Sequence, residues 1–339
     1  MSPAKPEAVK AVVMTAPSQM EMRSYAYPQC DRDSAILKVE MTRVCGTAMR
    51  RANALRSMIL ALVGLLGCGA LAQATDSPAA VEFDWQGKGG FDTHRWGGFL
   101  LANNRWGGGE GRIWFRAGEK GWSFWTEHQD DLGGGHVKSF PHAGIGWFWG
   151  SWAPNPALPV PLGELAVAKS SWTVTLPKKA AGQSYVVYYQ FYTATVPDPK
   201  RDTSTISGDL AVIVHREDFP FEQWGKRLGE FEVGGRRMLV VHKAPAIGKS
   251  TYIIMIPLEP LAKREGDRLR VEDFDLRPCV DFCVAHGHFK ATDYLITIQA
   301  GWEIRALHGV LQSDNLTLTV GSTGKQPVSL PLPPMDPAR

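Results

Sequence analysis

Beyond Ala74 this chain has only two cysteines, Cys279 and Cys283, so no disulfide framework can hold its larger part together. An excess of one charge is also missing. The 37 Lys and Arg against 34 Asp and Glu leave a net +3 spread along 339 residues, which excludes nucleic acid as the expected partner. The apolar run at residues 58–66 is too short to span a bilayer comfortably. From Phe83 onward no helical segments alternate with strands, and no Gly-rich dinucleotide fingerprint is found, which excludes a Rossmann domain. What remains is a composition of 44% hydrophobic and 21% charged residues, that of a globular protein with ample core material. All twelve Trp lie between Trp85 and Trp302, and nine of them between Trp85 and Trp152. Trp serves cores and faces that grip flat apolar ligands, and both uses are expected here.

The chain is a composite. Val9–Pro17 and Ala35–Glu40 resemble the opening strands of zinc-dependent alcohol dehydrogenases, and Val44-Cys45-Gly46-Thr47 resembles that family's first zinc-ligand segment, with Ala48 where the family has Asp. No Gly-His-Glu segment and no four-cysteine loop follow. Catalytic zinc needs three protein ligands around an open position, so Cys45 alone makes no dehydrogenase site. Residues 1–48 therefore read as a fragment. From Met49 the pattern is that of a secretory signal: Arg50, Arg51 and Arg56, then Met58–Leu66, then the small residues of Ala72-Gln73-Ala74. A buried helix hairpin is the bland alternative. Leu65-Leu66-Gly67-Cys68 also resembles a lipoprotein signal that would lipidate Cys68 and give a membrane anchor. The expected domains are thus 1–48, a signal at 49–74 and a mature domain at 75–339, secreted or periplasmic and monomeric.

The mature domain reads as all-β. Ser171–Leu176 alternates strictly, and aromatic or β-branched runs recur at Arg112–Arg116, Gly121–Trp125, Tyr185–Val196, Asp209–His215, Arg237–His242, Tyr252–Pro257, Tyr294–Trp302 and Leu316–Val320. Gly107-Gly108-Gly109, Gly133-Gly134-Gly135 and Gly234-Gly235 punctuate them. Many short strands so separated imply a sandwich or barrel. One helix is expected, over Pro278–Lys290. Its Cys279 and Cys283, with His286 and His288, allow either a zinc site of uncommon spacing or two thiols on one helix face. In the Tyr294–Glu303 strand, alternation puts Leu295, Thr297, Gln299 and Glu303 on one side and Tyr294, Ile296, Ile298 and Ala300 on the other.

Four segments in order resemble glycoside hydrolase family 12. Asn103-Asn104-Arg105-Trp106-Gly107 is similar to the family's NNLWG, Val137–His142 to its VKSYPN, and Ile298-Gln299-Ala300-Gly301-Trp302-Glu303 to its IQAG-aromatic-Glu. The helix leading into the last strand is the fourth. The resemblance, over about 83–320, implies a concanavalin-like jelly roll of two antiparallel sheets with one short helix. It implies a β-1,4-glucan-type polysaccharide as partner (cellulose, mixed-linkage glucan or xyloglucan), with no cofactor and no metal. It makes Glu303 the general acid, and assigns Asn104, Trp106, Pro141 and His142 to substrate binding. The family's nucleophile is the Glu of EIMIWL, and the matching run Asp209–Val214 puts Asp209 there. Ile213 or Val214 stands where the family has Trp. A further family Asp, that of YDIF, which hydrogen-bonds the nucleophile, falls near Tyr189. Asp is one methylene shorter, so its carboxylate would be drawn back by about 1.5 Å. The two readings that follow are an endo-acting glycosidase and a glycan-binding protein on the same sandwich.

Overall fold

The computed structural model describes residues 8–16, 19–26 and 83–330, apart from 108, 119–120, 130–135, 221–222, 224 and 246. The chain divides into two compact units, Met1–Ala79 and Ala80–Arg339. In the first, Ala8–Ala16 and Gln19–Ala26 form an antiparallel hairpin. The dehydrogenase-like Ala35–Glu40 and Cys45, the export signal at 49–74 and Cys68 lie outside the described residues.

In the second unit the described residues form two sheets, one of eleven strands and one of eight. The eleven-stranded sheet runs from Gly225–Val233 through Arg236–Lys243, Thr251–Pro257, Ile206–Glu217, Ser184–Ala194, Tyr294–Ala306, His142–Phe148 and Phe99–Ala102 to Thr93–Trp96. Its pairings are antiparallel except one. Ile206–Glu217 and Thr251–Pro257 run parallel, so the sheet is mixed where a purely antiparallel one was expected. The second sheet is centred on Leu165–Thr175 and His308–Ser322. Trp122, Phe124, Trp172 and Trp302 are fully buried and pack together in the core, with Phe124 and Trp302 centroids 5.0 Å apart. Leu165–Thr175 buries alternate residues, Trp172 and Val174 among them, as its sequence pattern requires.

Expected and observed elements differ in instructive places. The helix spans Arg277–Ala285, five residues short of the expected end, because Gly287 enters the left-handed region at φ 71° and stops it. His142–Phe148 is a central strand that its two glycines conceal. A side chain at Gly144 would press on Gln299, and one at Gly146 would strike the Ile296 carbonyl. Glycine there permits close strand approach. In Tyr294–Ala306 the simple alternation fails at its start: Leu295 joins the main core, whereas Ile296 packs beside Trp147 and Tyr192. The register against Ser184–Ala194 shifts between Tyr192 and Thr193, and such a bulge reverses which face a side chain takes. From Thr297 onward the faces are as expected, with Ile298, Ala300, Trp302 and Ile304 in the core.

Candidate active site

The face of the eleven-stranded sheet that points away from the main core carries a second layer of side chains. Tyr188, Ala211, Ile213, Val241, Tyr252 and Ile254 form a buried cluster there with Phe140. Above it opens a cleft of about 800 Å³ lined by Asn104, Trp106, Phe140, Trp149, Tyr188, Gln190, Tyr192, Arg201, Lys243, Tyr252 and Glu303, among others. Cavities of this size take small-molecule or oligomeric ligands.

Glu303 reaches the cleft because Gly301 before it lets two strands close up. A Cβ on Gly301 would lie 2.5 Å from His142 Cβ, and Trp302 N donates to Pro141 O at 3.1 Å. Trp302 points the opposite way and anchors the strand in the core. Glu303 is half-buried, with its Oε2 buried and without a protein hydrogen bond. Burial pushes its pKa up to about 7, while the Lys243 charge and a hydrogen bond with Tyr188 oppose the shift. A carboxyl held near neutrality is suited to giving up a proton.

Asp209 comes from Ile206–Glu217, with Ser184–Ala194 between it and the Glu303 strand. It is 0% exposed and does not line the cleft; Gln190, Tyr192 and Tyr252 do. Gln190 Nε2 donates to Asp209 Oδ1 at 2.8 Å, and Tyr188 OH donates to Gln190 Oε1 at 3.1 Å. Burial pushes the Asp209 pKa up to about 8. The Gln190 bond opposes that shift, the Glu303 charge adds to it, and Lys243 opposes it. Burial likewise raises Tyr188, Tyr192 and Tyr252, which stay neutral hydrogen-bonding groups.

The structure brings Glu303, Asn104 and Trp106 to the cleft and sets Asp209 just beneath it. It corrects two other assignments. Pro141 and His142 are buried and do not line the cleft. Pro141 serves the strand through its carbonyl, and His142 Nδ1 lies 2.8 Å from Phe140 O, with burial lowering its pKa to about 4. Phe140 presents the ring that faces the cleft. The residue placed against Asp209 is Gln190, not Tyr189, which is fully buried in the main core. Ile213 takes the cleft side and Val214 the core side. Asn103 is structural: its Nδ2 donates to Gly89 O at 2.9 Å.

Sequence reading missed Tyr188, Gln190, Lys243, Tyr252, Phe91 and Trp149. Three of the large exposed apolar side chains, Phe91 (69%), Trp106 (47%) and Trp149 (48%), line this one cleft. Trp149 sits with Gly150 in the turn joining His142–Phe148 to Ser151–Ala153, at φ 46° and 84°. That turn favours Asn and Gly, and a bulky residue at positive φ points to a use beyond the fold.

Cys279 and Cys283 prove to be core residues of the helix. Both are free and buried, and burial pushes the Cys279 thiol up to about 12. Among the described residues no group of His, Cys, Asp and Glu is placed to hold a metal ion.

No family model and no curated protein matches the chain. Solved structures do. Endoglucanase Cel12A from Rhodothermus marinus superposes with a TM-score of 0.58 at 23% identity, over 70% of this chain and 99% of that one. The fold is that of glycoside hydrolase family 12. A metagenome-derived family 12 endoglucanase gives a TM-score of 0.61 at 19% identity, covering 70% and 98% of the two chains. A family 12 xyloglucanase from Bacillus licheniformis gives 0.57 at 14% identity, covering 70% and 100%. None of these matches supports the dehydrogenase resemblance of residues 1–48.

Proposed function

We propose that this family-12-like protein binds β-1,4-glucan-type polysaccharide along the cleft and cleaves it internally, with Glu303 and Asp209 as its two carboxyls. The observation that carries this reading is their placement. On strands that flank Ser184–Ala194, Glu303 lines a cleft bearing exposed aromatic rings, and Asp209 lies just beneath it, hydrogen-bonded to Gln190, which with Tyr188 lines the same cleft. Glu303, still partly protonated near neutral pH, passes its proton to the glycosidic oxygen as the bond to the anomeric carbon breaks. In its ionised form, the minor one near pH 7, Asp209 either attacks that carbon or takes a proton from the water that does. Retaining enzymes hold their carboxyls roughly 5–5.5 Å apart and inverting ones about 6.5–9.5 Å. Trp106, Phe91 and Trp149 offer flat apolar faces to sugar rings, and Asn104 offers polar contacts. The named structural relatives are endoglucanases and xyloglucanases, and a xyloglucanase domain from Sinorhizobium fredii is described in complex with cellobiose. The export-like pattern at 49–74 fits a substrate met outside the cytoplasm, with the protein secreted or periplasmic.

A second reading has its own support. The complete burial of Asp209 beneath Gln190, Tyr192 and Tyr252 favours a glycan-binding protein that has kept the cleft and lost access to the second carboxyl. Reducing-end release from β-1,4-glucan, mixed-linkage glucan and xyloglucan separates the two. The hydrolase reading expects release by the wild type and its loss in both Glu303→Gln and Asp209→Asn. Binding of glucan without any release overturns it in favour of the second.

A further inference from the structure

Arg201 is the cleft residue that a neutral sugar chain leaves unexplained. It follows Ser184–Ala194 in a turn closed by Asp202 N, which donates to Pro199 O at 2.9 Å. Trp147 Nε1 donates to Lys200 O at 2.6 Å and ties that turn to the hairpin bearing Trp149. The fit is close. A Cβ on Gly150 would collide with Arg201 Cγ and crowd its Nε at 3.1 Å, so the arginine stem lies across the bare glycine beside Trp149. Both side chains line the cleft. The acids nearest in sequence are turned elsewhere. Asp198 Oδ1 accepts from Lys200 N at 3.1 Å, and Asp202 Oδ1 accepts from Ser204 N at 3.0 Å and Ser204 Oγ at 2.6 Å. In such Asx turns a carboxylate serves the neighbouring backbone. Arg201 is exposed, and among the described residues no carboxylate forms an ion pair with it.

The lining holds one further cation, Lys243, and a single carboxyl, Glu303. Sugar hydroxyls call for no such excess of positive charge. A guanidinium presents its N–H donors as a planar fork that meets a carboxylate in two parallel hydrogen bonds. The Trp149 ring beside that fork supplies a flat face for the sugar that carries the carboxylate. His142 pairs with Gly301 and Gly146 with Thr297, so the strand carries Trp149 away from Glu303 by roughly 20 Å along the backbone. Exposed charges so far apart are largely screened by salt, and Glu303 does little to repel an anion at Arg201. We propose that Arg201 and Trp149 form a subsite for a sugar carboxylate, so that the cleft prefers β-1,4-linked chains bearing uronic or aldonic acid to the neutral glucan. The proposal rests on the reading of the cleft as a glycan site, and it does not require that the protein cut its ligand.

The test is calorimetric binding to the full chain carrying Glu303→Gln, in which a bound oligosaccharide stays intact. Three ligands of equal length are compared: a neutral cello-oligosaccharide, the same chain ending in an aldonic acid, and a β-1,4-linked oligoglucuronate. The ratio of acidic to neutral affinity should fall about tenfold in Arg201→Met. It should fall by less in Arg201→Lys, which keeps the charge but not the fork, and should shrink as salt is raised. An effect with the oligoglucuronate alone puts the acid within the chain, and one with the aldonate alone puts it at the chain end. Either supports the subsite. Lys325 is exposed in the turn between His308–Ser322 and Val328–Leu330, strands of the other sheet. Lys325→Met removes the same charge there and should leave the ratio unchanged. A ratio unmoved by Arg201→Met, or lowered as much by Lys325→Met, overturns the subsite, while binding of the neutral chain leaves the glycan reading standing. Failure of all three ligands to bind overturns both.

Discussion

The Lys243 ammonium lies 5.1 Å from the centroid of the Tyr252 ring, and its charge opposes the raised pKa of both Glu303 and Asp209. A cation beside two carboxyls favours their ionised forms. Lys243→Met therefore raises both midpoints. In a hydrolase with two carboxyls, the lower of the pair's two midpoints sets the acid limb of the pH profile and the higher sets the alkaline limb. Both limbs should move to higher pH, by roughly half a unit or more. The profile of reducing-end release measures the shift, or the carboxyl NMR midpoints if the protein only binds. An unmoved profile would remove Lys243 from the electrostatics of the site.

Asp209 carries a stability consequence with a definite sign. Its folded pKa of about 8 stands above the ordinary 3.8, so between these values the native state holds more protons than the unfolded chain. Stability falls as pH rises through that window and is fully retained below it. Asp209→Asn has no charge to bury, so its melting temperature should exceed that of the wild type by more at pH 9 than at pH 5. Each kcal/mol recovered corresponds to about 2–4 °C in a domain of this size. A gap that does not change with pH contradicts the raised pKa.

The sandwich was legible because strand alternation and Gly punctuation are local signals, and Trp172, Val174 and Trp302 fell on the faces that their spacing dictates. The face of Glu303 was legible for the same reason, and its place in the site through the resemblance of Ile298–Glu303 to a family segment. Its partners were not. Which residue faces Asp209 depends on the register of Ser184–Ala194, every residue of which is buried, so hydrophobicity gives no sign of its two faces. One step along that strand separates Tyr189, in the core, from Gln190, in the cleft. The bulge at Ile296 and the glycine-rich strand at His142–Phe148 escaped because a bulge breaks the period of two and glycine carries no side chain to show it. Pro141 and His142 were placed in the cleft by resemblance, while their packing against Gly301 puts them beneath it.

That packing makes Gly301 sensitive. A methyl group there would sit 2.5 Å from His142 Cβ, between two hydrogen-bonded strands that cannot easily part. Gly301→Ala is expected to cost about 1–3 kcal/mol through overpacking and to weaken glucan binding by displacing Glu303. Gly118→Ala, where nothing lies within 4 Å of the added Cβ, is the control and should melt close to the wild type. If Gly301→Ala melts and binds like Gly118→Ala, the account of how Glu303 is seated fails.

Trp149 offers a separation of fold from function. Its φ of 46° is costly for a large side chain and ordinary for Asn, and its ring is about half exposed in the cleft. Trp149→Asn keeps the turn chemistry that a two-residue hairpin prefers and removes the ring. Stability should hold or rise, by up to about 1–3 kcal/mol if the strain is relieved in full. Covering an aromatic ring with a sugar is worth about 1.5–3 kcal/mol, so glucan binding should weaken by roughly ten- to a hundredfold. Calorimetric binding of cello-oligosaccharides beside thermal melts reads both effects. A variant that loses stability but binds as before would make Trp149 a packing residue, since a platform for sugar has no reason to support the fold while leaving the ligand indifferent.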